Sequence, residues 1–567
     1  MKLDTFFDNF GLLADAPNGV PKLREMFLQL AVQGKLVPQD PKDEPASVLL
    51  EKIKAERERL IKEKQIRKSK PLPPINLNEM PYKLPVGWEW LRLGDFSVQI
   101  TDGTHFTPQY IDKGIPFLSV KNISQGILDF SNTKFISKEA HRELIKRCKP
   151  EFEDILICRI GTLGKPVLVN VSRPFSIFVS VGLIKYPTKL IYSKFLLTTL
   201  NSPLLIKQYD QIKAGGSHTN KLNLKDLPFL KIPMPPLPEQ KRIVAKVDEL
   251  MGLCDELEAR KQQVSANCIQ LNDASIHKLL TVREPKKFNN HWQRICDNFN
   301  LLYSKPENVT KLRQAILQLA VQGKLVPQNP KDEPASVLLE EIKAEKERLI
   351  KEGKIKKSKP QSPIKLDEIP YELPANWEWV KLGDYFDVRD GTHDTPKYVS
   401  KGFPLITSKN ISNGMLDFSN IRYVSATDHK KIKQRSAVDR LDILFAMIGS
   451  IGNPVIVNTN EEFSIKNVAL FKYYSIELSC PDYLLIFLKN ASDEMKQKSS
   501  GAVQSFVSLK FLRNYLFPMP PLREQKRIAN KVDQLMTLCD ELETILSQSQ
   551  TDCDRLMEAA VAEILAA

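Results

Sequence analysis

The sequence predicts an α+β protein built as a tandem pseudo-dimer, and three observations carry that expectation. Leu23 to Glu63 recurs as Leu312 to Glu352 at an offset of 289 residues, with six of the 41 aligned positions changed. The register then persists through the WEW triplets at Trp88 and Trp377 to the closing PMPPL segments at Pro233 and Pro518. Within each copy, helical periodicity at both ends brackets short β-branched and aromatic runs of strand character. A repeat this long exceeds the roughly 20–50 residues of solenoid and propeller units. At 567 residues the chain also exceeds what one hydrophobic core organises.

The elements of one copy follow in order. KLREMFLQLAVQGKL places Leu23, Phe27, Leu30 and Ala31 at helical spacing and stops near Gly34, which predicts an amphipathic helix. PASVLLEKIKAERERLIKEKQ opens on Pro45 and carries a charged outer face, which predicts a second helix. KEKQIRKSKPLPP and its counterpart KEGKIKKSKPQSP are basic, proline-ended linkers. From Trp88 the runs WEWLRL, IPFLSV, DILICRI, PVLVN and FSIFVSVGLIKY predict strands of a mixed domain. SKFLLTTLNSPLLIKQYDQI predicts one late helix.

The closing helix has the clearest period. Ile243, Val247, Leu250, Cys254 and Leu257 alternate steps of four and three, as do Ile528, Val532, Leu535, Cys539 and Leu542. That is the seam of a coiled coil. The expected organisation is a helical framework and linker over 1–85, a mixed domain over 86–232 and a coiled-coil helix over 233–285. The order repeats as 286–374, 375–517 and 518–567.

Composition narrows the function. No apolar run approaches the roughly 18 residues of a membrane helix and the N-terminal stretch lacks signal-peptide character, so a cytosolic location is expected. Eight cysteines without CxxC spacing form neither a disulfide framework nor a zinc knuckle. The net charge of +14 favours a polyanionic partner. There is no GxxxxGK[ST] loop, no GxGxxG and no HExxH. One nuclease-like pattern, Pro481–Asp482 followed by Glu494 and Lys496, lies in a stretch of helical periodicity, and the first copy lacks its carboxylates. It is set aside, and no catalytic or metal site is expected.

Four motifs occur twice in the same order: LPxxWEWxxLGD, DGTHxTP, DIL…IG(T/S)xG(K/N)P and PMPPLxEQKRIxxKVDxLMxLCDELE. Together they resemble the specificity subunit of a Type I restriction-modification enzyme over nearly the whole chain. The resemblance implies a non-catalytic DNA-reading subunit with two target recognition domains separated by long antiparallel coiled-coil helices. Each domain would read one half of a bipartite, asymmetric double-stranded DNA target, and the helices would set the base pairs between the halves. The implied partners are two adenine methyltransferase subunits, which bring S-adenosylmethionine, and a motor-nuclease subunit that uses ATP and Mg²⁺. No cofactor is expected on this chain, and the setting would be the bacterial or archaeal cytoplasm near the nucleoid. A protein-assembly scaffold without DNA contact and a fused nuclease or methyltransferase are the alternatives.

Candidate DNA contacts fall into two groups. Thr104, His105 and Lys121, with Thr392, His393 and Lys409, lie on shared loops and suit phosphate positioning. Positions that differ inside the shared frame suit base discrimination. These are Arg159 against Met447, Phe106 against Asp394, and Gly216, Ser217, His218 and Lys221 of GGSHTNK against Gln504 and Ser505 of SGAVQSF. The competing reading makes DGTH a turn whose Asp and Thr bond the backbone, and makes the differences drift on a tolerant surface.

Overall fold

The computed structural model describes residues 14, 16–66, 68, 71–215, 220–357, 362–499 and 506–566. It divides into two compact units, one formed by 1–264 with 549–567 and the other by 265–548.

In the first unit, helix Gly19–Gln33 ends where the sequence places Gly34, at φ +70°. The Lys35 amide reaches back to the Leu30 carbonyl at 3.0 Å, a Schellman closure that needs the left-handed residue. A second helix, Ala46–Lys62, follows Pro45. Strand Glu89–Arg92 then pairs antiparallel with Lys231–Met234, so the intervening mixed domain hangs from a two-stranded stem. At the foot of the stem the Trp88 indole donates to Glu239 Oε2 at 3.0 Å, and Gln39 donates to the other oxygen at 3.3 Å. Burial pushes the Glu239 carboxyl up, against the lowering effect of those two donors. This clasp explains why WEW and EQKRI are both repeated: they are two halves of one joint. Trp377 and Glu524 repeat it at 3.1 Å in the second unit.

Inside the stem lies a four-stranded antiparallel sheet in the order Gln99–Asp102, Val181–Lys185, Ile155–Cys158, Gly164–Leu168. Beside it stands a three-stranded sheet of Lys134–Ile136, Ile115–Leu118 and Ser176–Ile177, the last pair parallel. FSIFVSVGLIKY, expected as one strand, thus changes sheets after Ile177, and a turn closed by Val181 N to Phe178 O at 2.9 Å makes the crossing. The second unit repeats the plan with sheets ordered Phe386–Asp390, Val468–Tyr473, Ile443–Ala446, Gly452–Ile456 and Tyr398–Val399, Arg422–Val424, Phe403–Ile406, Ser464–Ile465. A register shift recurs in both, between Leu156 and Cys158 and between Leu444 and Ala446.

The late helix departs from expectation in the first unit. It is two helices, Ser193–Leu200 and Pro203–Ile212, because Pro203 has no N–H to give to Thr199 and its ring crowds that carbonyl. Ser202 Oγ takes the Thr199 carbonyl instead, at 2.6 Å. The second unit has no such proline after Pro481 and keeps one helix, Pro481–Gln497.

The long helices run Leu237–Thr281 and Leu522–Ala566, 45 residues each, or about 68 Å at 1.5 Å per residue. In each unit the first part of one long helix lies with the last part of the other, so the pair is antiparallel. Their seam does two jobs. Ile243 and Val247 bury into the core of the mixed domain with Trp88 and Phe195. Only further along does the seam meet helices: Cys254 packs with Leu23, Met26, Met557 and Ala560. In the second unit one continuous core takes Ile528, Val532 and Cys539, with Leu535 and Leu542 against it. The repeated helices Gly19–Gln33 and Pro306–Val321 are therefore third members of the bundle, which an a/d pattern on one helix cannot announce.

Candidate nucleic-acid interface

The DGTH motif closes strand Gln99–Asp102 and is held from three sides. Asp102 is 1% exposed. Arg147 Nη2 donates to its Oδ1 at 2.5 Å, Arg159 Nη1 pairs with Oδ2, and His105 Nε2 lies 3.2 Å away. A carboxylate so deeply buried requires such partners. Gly103 passes flat against the crossing segment: a Cβ there would stand 2.6 Å from the Phe178 carbonyl carbon and closer still to the Ile177 carbonyl. Thr104 N donates to Ile177 O at 3.1 Å, Val179 N donates to Thr104 O at 2.9 Å, and the Thr104 hydroxyl accepts from Phe106 N at 3.3 Å. The motif is thus a fixed pedestal, and its tip displays Phe106, 65% exposed.

Arg159 joins this pedestal to its neighbours. Its Nε donates to the Leu222 carbonyl at 3.1 Å and its backbone N–H to Ser180 O at 2.9 Å. Ser180 Oγ in turn accepts from Val120 N at 3.1 Å, at the start of the short 3₁₀ turn Val120–Asn122 that exposes Lys121. Leu222 ends the two-residue ladder Lys213–Ala214 with Lys221–Leu222, and Lys221 is exposed. The Arg159 guanidinium therefore ties the DGTH motif to the Lys221 strand, and its backbone N–H ties both, through Ser180, to the Lys121 turn. Cys148 and Cys158 lie in the core below; burial pushes both thiols up to about 12, so neither is a nucleophile.

The second unit keeps the pedestal and changes the display. Asp390 pairs with Arg435 and with His393 at 2.8 Å, and Thr392 N donates to Ile465 O at 3.0 Å. Gly391 meets the same restriction: an added Cβ would lie 2.9 Å from the Lys466 amide. Met447 stands where the first unit has Arg159, buried without a charge, and its carbonyl accepts from Val507 N at 2.9 Å. Asp394 is exposed at the tip, and Lys409 lies on the 3₁₀ segment Ser408–Gly414. Gly216, Ser217, His218, Gln504 and Ser505 lie outside the described residues.

Three sets of residues escaped the sequence reading. Arg147 and Arg435 grip the pedestal carboxylates, and their shared offset of 288 residues was the available signal. The pairs Tyr110 with Lys134 and Tyr398 with Arg422 also recur at that offset, with the cation 6.0 and 4.6 Å from the ring centroid. All four side chains are exposed, offering stacking and charge together. Finally, Phe178 of the first crossing is Lys466 in the second, and its ammonium reaches the Thr395 hydroxyl.

The nuclease-like pattern dissolves in three dimensions. Asp482 and Glu494 sit at opposite ends of helix Pro481–Gln497, about 18 Å apart along its axis. Glu494 accepts from Tyr515 at 2.5 Å and pairs with Lys498. Among the described residues no cluster of three His, Cys, Asp or Glu is arranged to hold a metal, and no helix is long and apolar enough to cross a membrane.

Comparison with known proteins matches the same two segments. The Type I restriction modification DNA specificity domain matches residues 85–265 and again 374–549. The specificity subunit of the Type I restriction enzyme EcoAI from Escherichia coli is 34% identical over 582 residues, covering 96% of this chain and 94% of that one. The EcoEI specificity subunit, also from Escherichia coli, is 30% identical over 571 residues with the same coverage. The solved HsdS subunit from Thermoanaerobacter tengcongensis aligns over 86% of this chain and 98% of that one at 18% identity and TM-score 0.43. On two matched domains and full-length relatives, the chain belongs to the family of Type I restriction-modification specificity subunits, as a non-catalytic DNA specificity subunit with two recognition domains.

Proposed function

We propose that each recognition domain reads one half of a split, asymmetric double-stranded DNA target through the face gathered around its DGTH pedestal. The repeated helical framework, in turn, docks two copies of a methyltransferase subunit. The observation that carries this reading is the division of labour within one scaffold. Asp102, Gly103, Thr104, His105 and Arg147 recur as Asp390, Gly391, Thr392, His393 and Arg435, while the tip changes from Phe106 to Asp394 and the buried Arg159 beneath it to Met447. An aromatic face suits a thymine methyl or a stacked base, and a carboxylate suits the cytosine amino group, so the two tips favour different bases.

His105, Lys121 and Lys221, with His393 and Lys409, are phosphate contacts that fix register without selecting sequence. Thr104 and Thr392 hold the loop through their main chains. Arg159 is a positioning residue, its guanidinium engaged by Asp102 and Leu222. S-adenosylmethionine belongs to the methyltransferase partners, and ATP and Mg²⁺ to a motor-nuclease subunit. Identical partners need equivalent docking surfaces, which is why Leu23 to Glu63 and its copy stay alike; unlike half-sites need unlike readers.

Methylation mapping in a host expressing this chain with its methyltransferase subunit tests the reading. A two-part asymmetric motif is expected. Phe106→Asp is expected to alter one half of it, and Lys121→Ala to slow methylation without altering either half. A single contiguous motif, or a change in both halves from Phe106→Asp, would overturn it.

A further inference from the structure

The internal repeat reaches further upstream than the framework helices. Asp8, Asn9, Phe10, Leu12, Leu13 and Pro17 match Asp297, Asn298, Phe299, Leu301, Leu302 and Pro306 at the same offset of 289 residues. Apolar Leu3 and Phe6 fall opposite Trp292 and Ile295.

In the second unit that stretch covers a groove between the framework helix and the long helices. Trp292, Ile295 and Phe299 lie over Leu319, Leu535, Leu538, Leu542 and Leu279, leaving about 150 Å³. The stretch is also fastened by polar bonds: Cys268 Sγ donates to Leu301 O at 3.0 Å and Asn308 Nδ2 to Leu302 O at 2.6 Å.

The first unit carries a groove at the matched positions, lined by Leu30, Leu250, Leu253, Leu257 and Ile564, with a volume of about 780 Å³. Leu253 is half exposed there among the described residues. Ala14, opposite Tyr303, is buried in the same place in its own core, and Lys261 Nζ donates to the Ala14 carbonyl at 2.7 Å. The chain therefore reaches Ala14 already anchored beside the groove. Cys553 holds the position matched to Cys268.

We propose that this groove is a docking surface for the chain's own N-terminal segment, with Leu3, Phe6 and Phe10 seated as Trp292, Ile295 and Phe299 are. The occupant follows from the page: the segment is the only other copy of the covering sequence in the chain, and it is tethered at the groove's edge. Seating it removes an apolar surface that water would otherwise meet. It also gives both framework helices the same three-part bundle, which the docking of identical partners asks for.

The test uses the full chain with a photocrosslinking amino acid in place of Phe10, together with amide hydrogen exchange. Crosslinks within one molecule to the Leu250–Leu257 stretch are expected, with exchange there as slow as at Leu535–Leu542. Phe10→Asp is expected to abolish that protection and leave Leu535–Leu542 unchanged, while Phe10→Leu retains it. Crosslinks between two chains, or protection that arises only when the methyltransferase subunit is added, would overturn the proposal by naming a different occupant. Unchanged exchange in Phe10→Asp would overturn it as well.

Discussion

A single methyl group at Gly103 gives the sharpest perturbation of the pedestal. Gly103 is not among the residues of positive φ, so alanine meets no backbone penalty there and the effect is purely steric. The added carbon would press on the Ile177 carbonyl and stand 2.6 Å from the Phe178 carbonyl carbon. The strand cannot simply withdraw, because Ile177 O is bonded to Thr104 N at 3.1 Å and Ile177 is buried. Overpacking a fixed site costs roughly 1–3 kcal/mol, and the lost hydrogen bond adds about 1 kcal/mol. The sum, about 2–4 kcal/mol, is a fraction of the roughly 5–15 kcal/mol that holds a typical domain together. The first unit is therefore expected to stay folded with its DGTH tip displaced. Methylation mapping of Gly103→Ala should show one half of the target relaxed or lost and the other intact, and Gly391→Ala should do the reverse. Gly252→Ala, where an added Cβ meets nothing within 4 Å on the long helix, is the control; it should raise stability by about 0.5–1 kcal/mol and leave the motif alone. An unaltered motif and rate in Gly103→Ala would refute the assignment of the pedestal to DNA reading.

Arg159→Met, which imports the residue of the second unit, should leave Asp102 held by Arg147 and His105 as Asp390 is held by Arg435 and His393. The chain should fold, with the Lys221 hairpin loosened and one half-site broadened, as a binding-site selection would report. Cys254→Lys places an ammonium among Leu23, Met26 and Met557 and should cost several kcal/mol in a denaturant melt; Asp248→Lys on the exposed side of the same helix should cost far less. Asp442 is pushed up to about 6 by burial, against the lowering effect of Lys472. Its folded value thus lies above its unfolded one, so its contribution to stability is present at low pH and is lost as pH rises from about 4 to about 6, by about 3 kcal/mol. Asp442→Asn should remove that loss, so the variant's stability relative to the native chain should improve across that interval.

The fold was legible wherever a local pattern has one structural meaning. Gly34 ends its helix, and the repeat itself announces two like units. The misreadings share a cause: a position's character depends on what faces it. Arg159 looked like a reader because Met447 replaces it, yet Ile155–Cys158 is buried along its whole length, and a residue continuing such a strand stays inside. Ile243 and Val247 show a coiled-coil period, but period alone does not say whether the partner is a helix or a sheet domain. Pro203 was in plain view and should have divided its helix. Phe106 and Asp394, by contrast, differ at an exposed tip, where a difference does change what is displayed.

The central claim is that one scaffold carries two independent readers, and exchanging them tests it most directly. In a chain whose residues 88–231 are replaced by a copy of 377–516, both stems, both Trp–Glu clasps and both framework helices are retained. Methylation mapping of a host expressing that chain with its methyltransferase subunit should return an inverted repeat of the half-site read by the second domain. Retention of the original asymmetric motif by an active complex would contradict the account.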